Sequence, residues 1–187
     1  MVSLLLLALL AGSLQGCFPV IAAGVGTGVS MAQDRRTSGA YIEDEAIEDK
    51  AVDRIGKRYK DGVHVNVTSF NRTVLVTGEV LSESAKAEIG KLVGGIENVR
   101  NVTNELAVSG VSSLTSRSSD SLVTSNVKIR FMRDKRFNAE HVKVVTENGT
   151  VYLMGIVTRA EADMATEIAS TTSGVMRVTR LFEYLGN

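Results

Sequence analysis

Two stretches of this chain carry the same order of apolar and polar positions. Ile47, Ala51 and Ile55 recur every four residues, and so do Val123, Val127 and Phe131. That spacing predicts a helix with one buried face in each stretch. Two alternating runs follow each helix, residues 63–69 with 73–80 and residues 142–146 with 150–157, which predict paired strands. Asn148-Gly149 joins the second pair, and both residues tolerate positive φ, as a two-residue hairpin turn requires. Gly78 and Gly155 fall late in their strands, where a bulge or a close backbone approach is expected. A second helix is predicted from near Ser82 and from near Thr158, the latter with Glu161 three residues on as in a capping box. A last strand, 101–108 or 176–184, completes an α-β-β-α-β order in each copy.

The two copies are also related residue by residue. Displacing the sequence by 77 positions across residues 64–80 gives eight identities in seventeen places, among them His64/His141, Asn71/Asn148, Gly78/Gly155 and Val80/Val157. Two copies of so long a period indicate tandem small domains rather than a solenoid, which stacks three or more units. The fold class expected is therefore α+β. Each domain should pack two helices on a three-stranded mixed sheet, with domains at 43–108 and 120–187. Between them, six of the eleven residues 109–119 are Ser, which predicts a flexible linker and domains free to move independently.

Composition narrows the function. Hydrophobic residues make up 44% of the 187 and charged residues 22%, too apolar for wholesale disorder. The formal net charge is zero, which argues against a general nucleic-acid binder, whose phosphate contacts need a basic excess. The single Cys rules out an internal disulfide and any Cys-based metal cage.

That Cys sits at the end of an apolar leader. The Leu- and Ala-rich residues 1–16 are too short to span a bilayer but have the length of a secretory signal. Leu14-Gln15-Gly16-Cys17 resembles the bacterial lipobox, in which the Cys becomes the lipidated first residue after cleavage. The resemblance implies acyl and diacylglycerol chains on Cys17, and several chains suffice for stable anchoring. Phe18, rather than Asp, after the Cys favours delivery to the outer membrane. Residues 17–42, including Asp34-Arg35-Arg36-Thr37, read as a tether from the anchor.

The α-β-β-α-β unit with Val142-Lys143-Val144, residues 148–157 (Asn-Gly-Thr-Val-x-Leu-x-Gly-x-Val) and residues 173–178 (Ser-Gly-Val-x-x-Val) resembles the BON domain. Residues 71–80 match the same pattern less closely. With the lipobox and the Asp-Arg-Arg-Thr segment, the order of parts resembles the dual-BON-domain outer-membrane lipoproteins. That resemblance implies a non-enzymatic lipoprotein, facing the periplasm, that supports envelope integrity. It further implies binding of anionic phospholipid by the second domain, and an association with the outer-membrane β-barrel assembly machinery as chaperone-like adaptor is the alternative.

At 100° per residue, Val123, Val127, Arg130 and Phe131 form the core stripe of the second copy's first helix, with Arg130 at its edge. Leu122, Asn126, Ile129 and Arg133 form another stripe with no evident internal partner. Residues 120–137 carry a net charge of +3, against −2 for residues 43–61, where Ala46 and Asp53 stand in place of Leu122 and Ile129. An apolar stripe flanked by Lys and Arg suits an anionic bilayer surface. The candidate phospholipid-binding residues are thus Leu122, Val123, Asn126, Lys128, Ile129, Arg130 and Arg133. The competing expectation is that Leu122 and Ile129 pack against the first domain or the sheet edge.

Other constellations point to no chemistry. His64 and His141 are the only histidines, and the repeat explains their duplicated position without a metal. Glu43, Asp44, Glu45, Glu48 and Asp49 are expected to favour a helix dipole from its first turn. No nucleophile elbow or phosphate-binding glycine loop is present, so no enzyme, no small-molecule substrate and no cofactor beyond the lipid on Cys17 is expected.

Overall fold

The computed structural model describes residues 34–59, 62–110 and 112–186; the leader and Cys17 lie outside them. Within them the chain folds as the α-β-β-α-β order twice. Domain one runs α1 (Ser38–Arg58), β1 (His64–Phe70), β2 (Thr73–Val80), α2 (Glu83–Gly94), β3 (Asn101–Asn104) and β4 (Ala107–Val108). Domain two runs α3 (Leu114–Arg133), β5 (Val142–Glu147), β6 (Thr150–Val157), α4 (Arg159–Ser170) and β7 (Arg177–Tyr184), with a single 3-10 turn before β5.

Both leading helices start earlier than their apolar period suggests. The Thr37 hydroxyl accepts from the Ala40 amide, and the Ser113 hydroxyl accepts from the Ser116 amide. Each hydroxyl satisfies an orphan donor of the first turn, so the helix extends back to it. The Ser-rich segment is consequently not a flexible linker throughout, since α3 occupies it from Leu114. The acidic run likewise does not sit in a first turn, because α1 begins at Ser38.

Each sheet is mixed. β1 pairs antiparallel with β2 and β5 with β6, while β3 and β7 lie parallel to β2 and β6. β7 runs unbroken beside β6 from Thr150↔Arg177 to Val157↔Tyr184. Its counterpart in domain one is split into β3 and β4, both along β2, with Leu106 turned into the core between them. Both hairpins turn through two residues of positive φ, Asn71-Arg72 (50° and 66°) and Asn148-Gly149 (47° and 68°). Gly78 and Gly155 are where the backbone closes in, because a Cβ on either would run into the carbonyl oxygen of His64 or His141.

The helices cover one face of each sheet. Ile47, Ala51 and Ile55 pack with Val74, Val76, Ile89 and Val93; Val123, Val127 and Phe131 pack with Val151, Leu153, Ala165 and Ile168. Burial of such side chains contributes about 1.5–3 kcal/mol each. The other face of β6 is largely apolar too, with Tyr152, Met154 and Ile156, while that of β2 presents Leu75 among Thr73, Thr77 and Glu79. Phe70, Leu75, Tyr152 and Met154 form a third cluster, flanked by Val145, Ile156 and Leu181, that joins the helix-free faces of the two sheets. Around it Lys143 Nζ donates to Glu48 (3.0 Å) and to the Ser69 carbonyl (3.2 Å), and the Asn71 side chain donates to Glu183 (2.8 Å). The domains are therefore docked back to back, contrary to the expectation of independent motion.

The segment read as tether is also partly built into the fold. Arg35 forms a two-pronged ion pair with Glu161 (2.7 and 2.8 Å) and donates to the Ile156 carbonyl (2.9 Å), all in domain two. Arg36 pairs with Asp34 (2.6 Å) and with Asp44 (2.8 Å) of domain one, its guanidinium 4.2 Å from the Phe70 ring centroid. Two adjacent arginines thus hold two different domains. The Arg35 guanidinium, helped by the Thr158 amide and hydroxyl and by His141, pulls the Glu161 pKa down to about 2.

A candidate membrane-contact face on the second domain

Helix α3 is placed by a buried carboxylate as well as by its core stripe. Asp120 accepts from the amides of Asn148 and Gly149, both at 2.8 Å, and so clamps the helix to the β5–β6 turn. Asp44 does the same in domain one for Asn71 and Arg72 (2.7 Å each), and also accepts from the Ser69 hydroxyl (2.6 Å). Sequence reasoning missed this pair. The signal was present, because Asp44 and Asp120 each stand three residues before the first core residue, Ile47 or Val123.

With α3 clamped at this angle, Val123, Val127 and Phe131 are buried and the opposite side faces solvent. Leu122 is 65% exposed and Ile129 40% exposed. Neither is covered by the first domain or a sheet edge, which removes the packing alternative. Asn126, Lys128 and Arg133 are exposed with them. Met132, at 69% exposure, adjoins Ile129 on the same outward side and was not anticipated.

Two of the candidate residues are otherwise engaged. Val123 belongs to the core. Arg130 donates to the Ile168 carbonyl (2.8 Å) and to the hydroxyls of Thr172 (2.7 Å) and Thr171 (2.9 Å), which ties α3 to the last turn of α4. Its guanidinium satisfies a helix C-terminus, where a cation is favoured by the dipole. Arg136 pairs with Asp134 (2.6 Å), whose pKa its hydrogen bonds draw down to about 2. Lys128 and Arg133 form no ion pair among the described residues.

The N-terminal half of α3 forms one wall of a groove. Ser116, Ser119, Leu122 and Asn126 face the β5–β6 turn and the turn before β7, which contributes Gly174 and Met176. The histidines are elsewhere: His141 Nδ1 lies 3.2 Å from Glu161 and His64 Nε2 3.2 Å from the Asn66 side chain. Among the described residues no three His, Cys, Asp or Glu side chains are grouped to hold a metal ion. No helix there is long and apolar enough to cross a membrane.

Two α-β-β-α-β units in tandem, each with a clamping Asp and a close-approach Gly, define the class of protein. The chain belongs to the BON-domain family, whose pattern matches residues 43–110 and 119–186. It is 40% identical over 184 residues to outer membrane lipoprotein DolP of Haemophilus influenzae, across 96% of this chain and 95% of that protein. A 21 kDa hemolysin of Actinobacillus pleuropneumoniae is 31% identical over 154 residues, covering 81% of this chain and 79% of its own length. Osmotically-inducible protein Y of Escherichia coli is 31% identical over 147 residues, covering 75% and 72%.

Proposed function

We propose that this protein is a non-enzymatic outer-membrane lipoprotein, anchored through lipid on Cys17 and facing the periplasm, that supports envelope integrity. Its second BON domain binds anionic phospholipid through the exposed side of α3. Leu122 and Ile129 enter the leaflet surface while Lys128 and Arg133 meet its phosphates. The observation that carries the reading is the exposure of these two branched aliphatic side chains together with the exposed cations Lys128 and Arg133 on one helix; α1 also exposes Ile42 and Val52, but in a region of net negative charge. An apolar stripe flanked by basic residues is the pattern of an interfacial helix, and each Lys or Arg near an anionic surface adds about 1 kcal/mol. The likeness over nearly the full length to a protein named as an outer membrane lipoprotein supports the location.

Co-sedimentation of residues 18–187 with vesicles, with and without phosphatidylglycerol, at low and physiological salt, tests it. Binding should be confined to the anionic vesicles and weaken with salt. Reversing Lys128 and Arg133 to Glu should lower the affinity at least about tenfold. Unchanged binding of that variant would remove the proposed site.

A further inference from the structure

Besides Leu122, Ile129 and Met132 on α3, the second domain exposes a large apolar side chain in the turn beside that helix. Met176 is 81% exposed, the highest value among the large hydrophobic residues described. It sits in the turn that leads from α4 into β7, and its amide donates to the Gly149 carbonyl (2.8 Å), which fixes its backbone against the β5–β6 turn. Its side chain lines the same groove as Leu122. Gly149 makes room for it, because a Cβ at 149 would stand 2.6 Å from the Met176 sulfur.

The first domain supplies an internal control. There the Arg100 amide makes the matching bond to the Arg72 carbonyl (2.9 Å), so Arg100 occupies the Met176 position and Arg72 the Gly149 position. On the helices, Leu122, Ile129 and Met132 correspond to Ala46, Asp53 and Gly56. All four exposed apolar residues of this face are therefore small or charged in the copy that shares the fold. Closing the turn does not itself require Met176, since the matching turn closes with Arg100. A flexible, unbranched thioether suits a disordered apolar phase better than a fixed pocket. The exposed Lys128 and Arg133, farther along the same helix as Leu122, are complementary to an anionic leaflet.

We infer that Met176 is a second apolar anchor for the anionic bilayer, entering the leaflet from the turn before β7 beside Leu122 on α3. The inference rests on the proposed phospholipid binding and extends it from a helix to a face made by a helix and a turn. Two elements set apart in sequence fix the tilt of the domain on the surface, which one helix stripe does not.

The test is vesicle binding by residues 18–187, unaltered and carrying Met176→Ser or Leu122→Ser, on vesicles of equal parts phosphatidylglycerol and phosphatidylcholine. Each substitution should weaken binding by at least about fivefold, and by the same factor at high salt, because the lost contact is apolar. A dye on Met176→Cys, the sole Cys in residues 18–187, should shift to the blue on these vesicles and be quenched by quenchers carried on the acyl chains. If Leu122→Ser weakens binding while Met176→Ser does not and the dye stays in water, Met176 is no anchor and the helix reading stands alone. If the unaltered protein ignores the vesicles, both readings fall. Should Met176→Ser alter the unfolding temperature, the dye result decides.

Discussion

Domains one and two place core residues, helix caps, clamping aspartates and close-approach glycines at matching positions, yet their outward helix faces share almost nothing. Ala46, Asp53 and Gly56 on α1 stand where α3 carries Leu122, Ile129 and Met132. The net charge of the two helix regions changes from −2 to +3. What is duplicated is what the backbone needs: a carboxylate for the turn amides, and a missing Cβ where strands close in. What differs is free of those demands, and function in a family of one fold resides in such differences. The domains also lean on each other through the opposite sheet faces, so the first can serve as support for the second without sharing its surface.

The sharpest way to break the likeness is at the two aspartates. Asp44→Ala should cost about 2–4 kcal/mol in denaturant unfolding, because it leaves the Ser69 hydroxyl and two turn amides unserved and takes one of the two carboxylates from the buried Arg36, which keeps Asp34. Asp120→Ala, which leaves only two amides unserved, should cost about 1–3 kcal/mol. Equal losses would mean that Arg36 contributes nothing to the clamp. The glycines come next. Gly78→Ala should destabilise by roughly 3 kcal/mol or more, since the new Cβ meets a carbonyl and φ is +112°. Gly155→Ala meets only the first penalty and should lose about 1 kcal/mol less.

The smallest effect concerns Arg35, which has no like partner in the second copy. Arg35→Ala should cost about 1–2 kcal/mol at neutral pH, read by thermal unfolding. Glu161 has a folded pKa of about 2, below its unfolded value near 4.5, so the unfolded chain binds more protons between them. The pair's contribution is complete above about pH 4.5 and is lost as the pH falls toward 2. The variant should therefore lose less stability than the unaltered protein over that window, and a parallel decline would exclude the pair as the cause.

The sequence disclosed the helices, the strands, the Asn148-Gly149 turn and the core stripes because each is written in a local period. The repeat then made one copy a check on the other. The exposed Leu122 and Ile129 were legible for the same reason, as a second stripe on a helix whose first was accounted for. Arg130 was misread because its partners, Ile168, Thr171 and Thr172, are far along the chain and no period announces them. The docking of the sheets was overlooked although β6 is apolar on both faces, since Leu75 stands among Thr73, Thr77 and Glu79 and Tyr152 looks like an ordinary strand residue until a partner sheet covers it. Met176 escaped notice because a lone apolar residue in a turn has no pattern around it.

Arg35 and Arg36 bear on how the molecule carries load. Tension arriving along the backbone from the side of Cys17 reaches these two guanidinium groups before it reaches α1. Arg36 passes it to Asp44 and Phe70, and Arg35 to Glu161 and Ile156, so the pull divides between both domains at their seam. The paired arginines are in effect a yoke across the two domains.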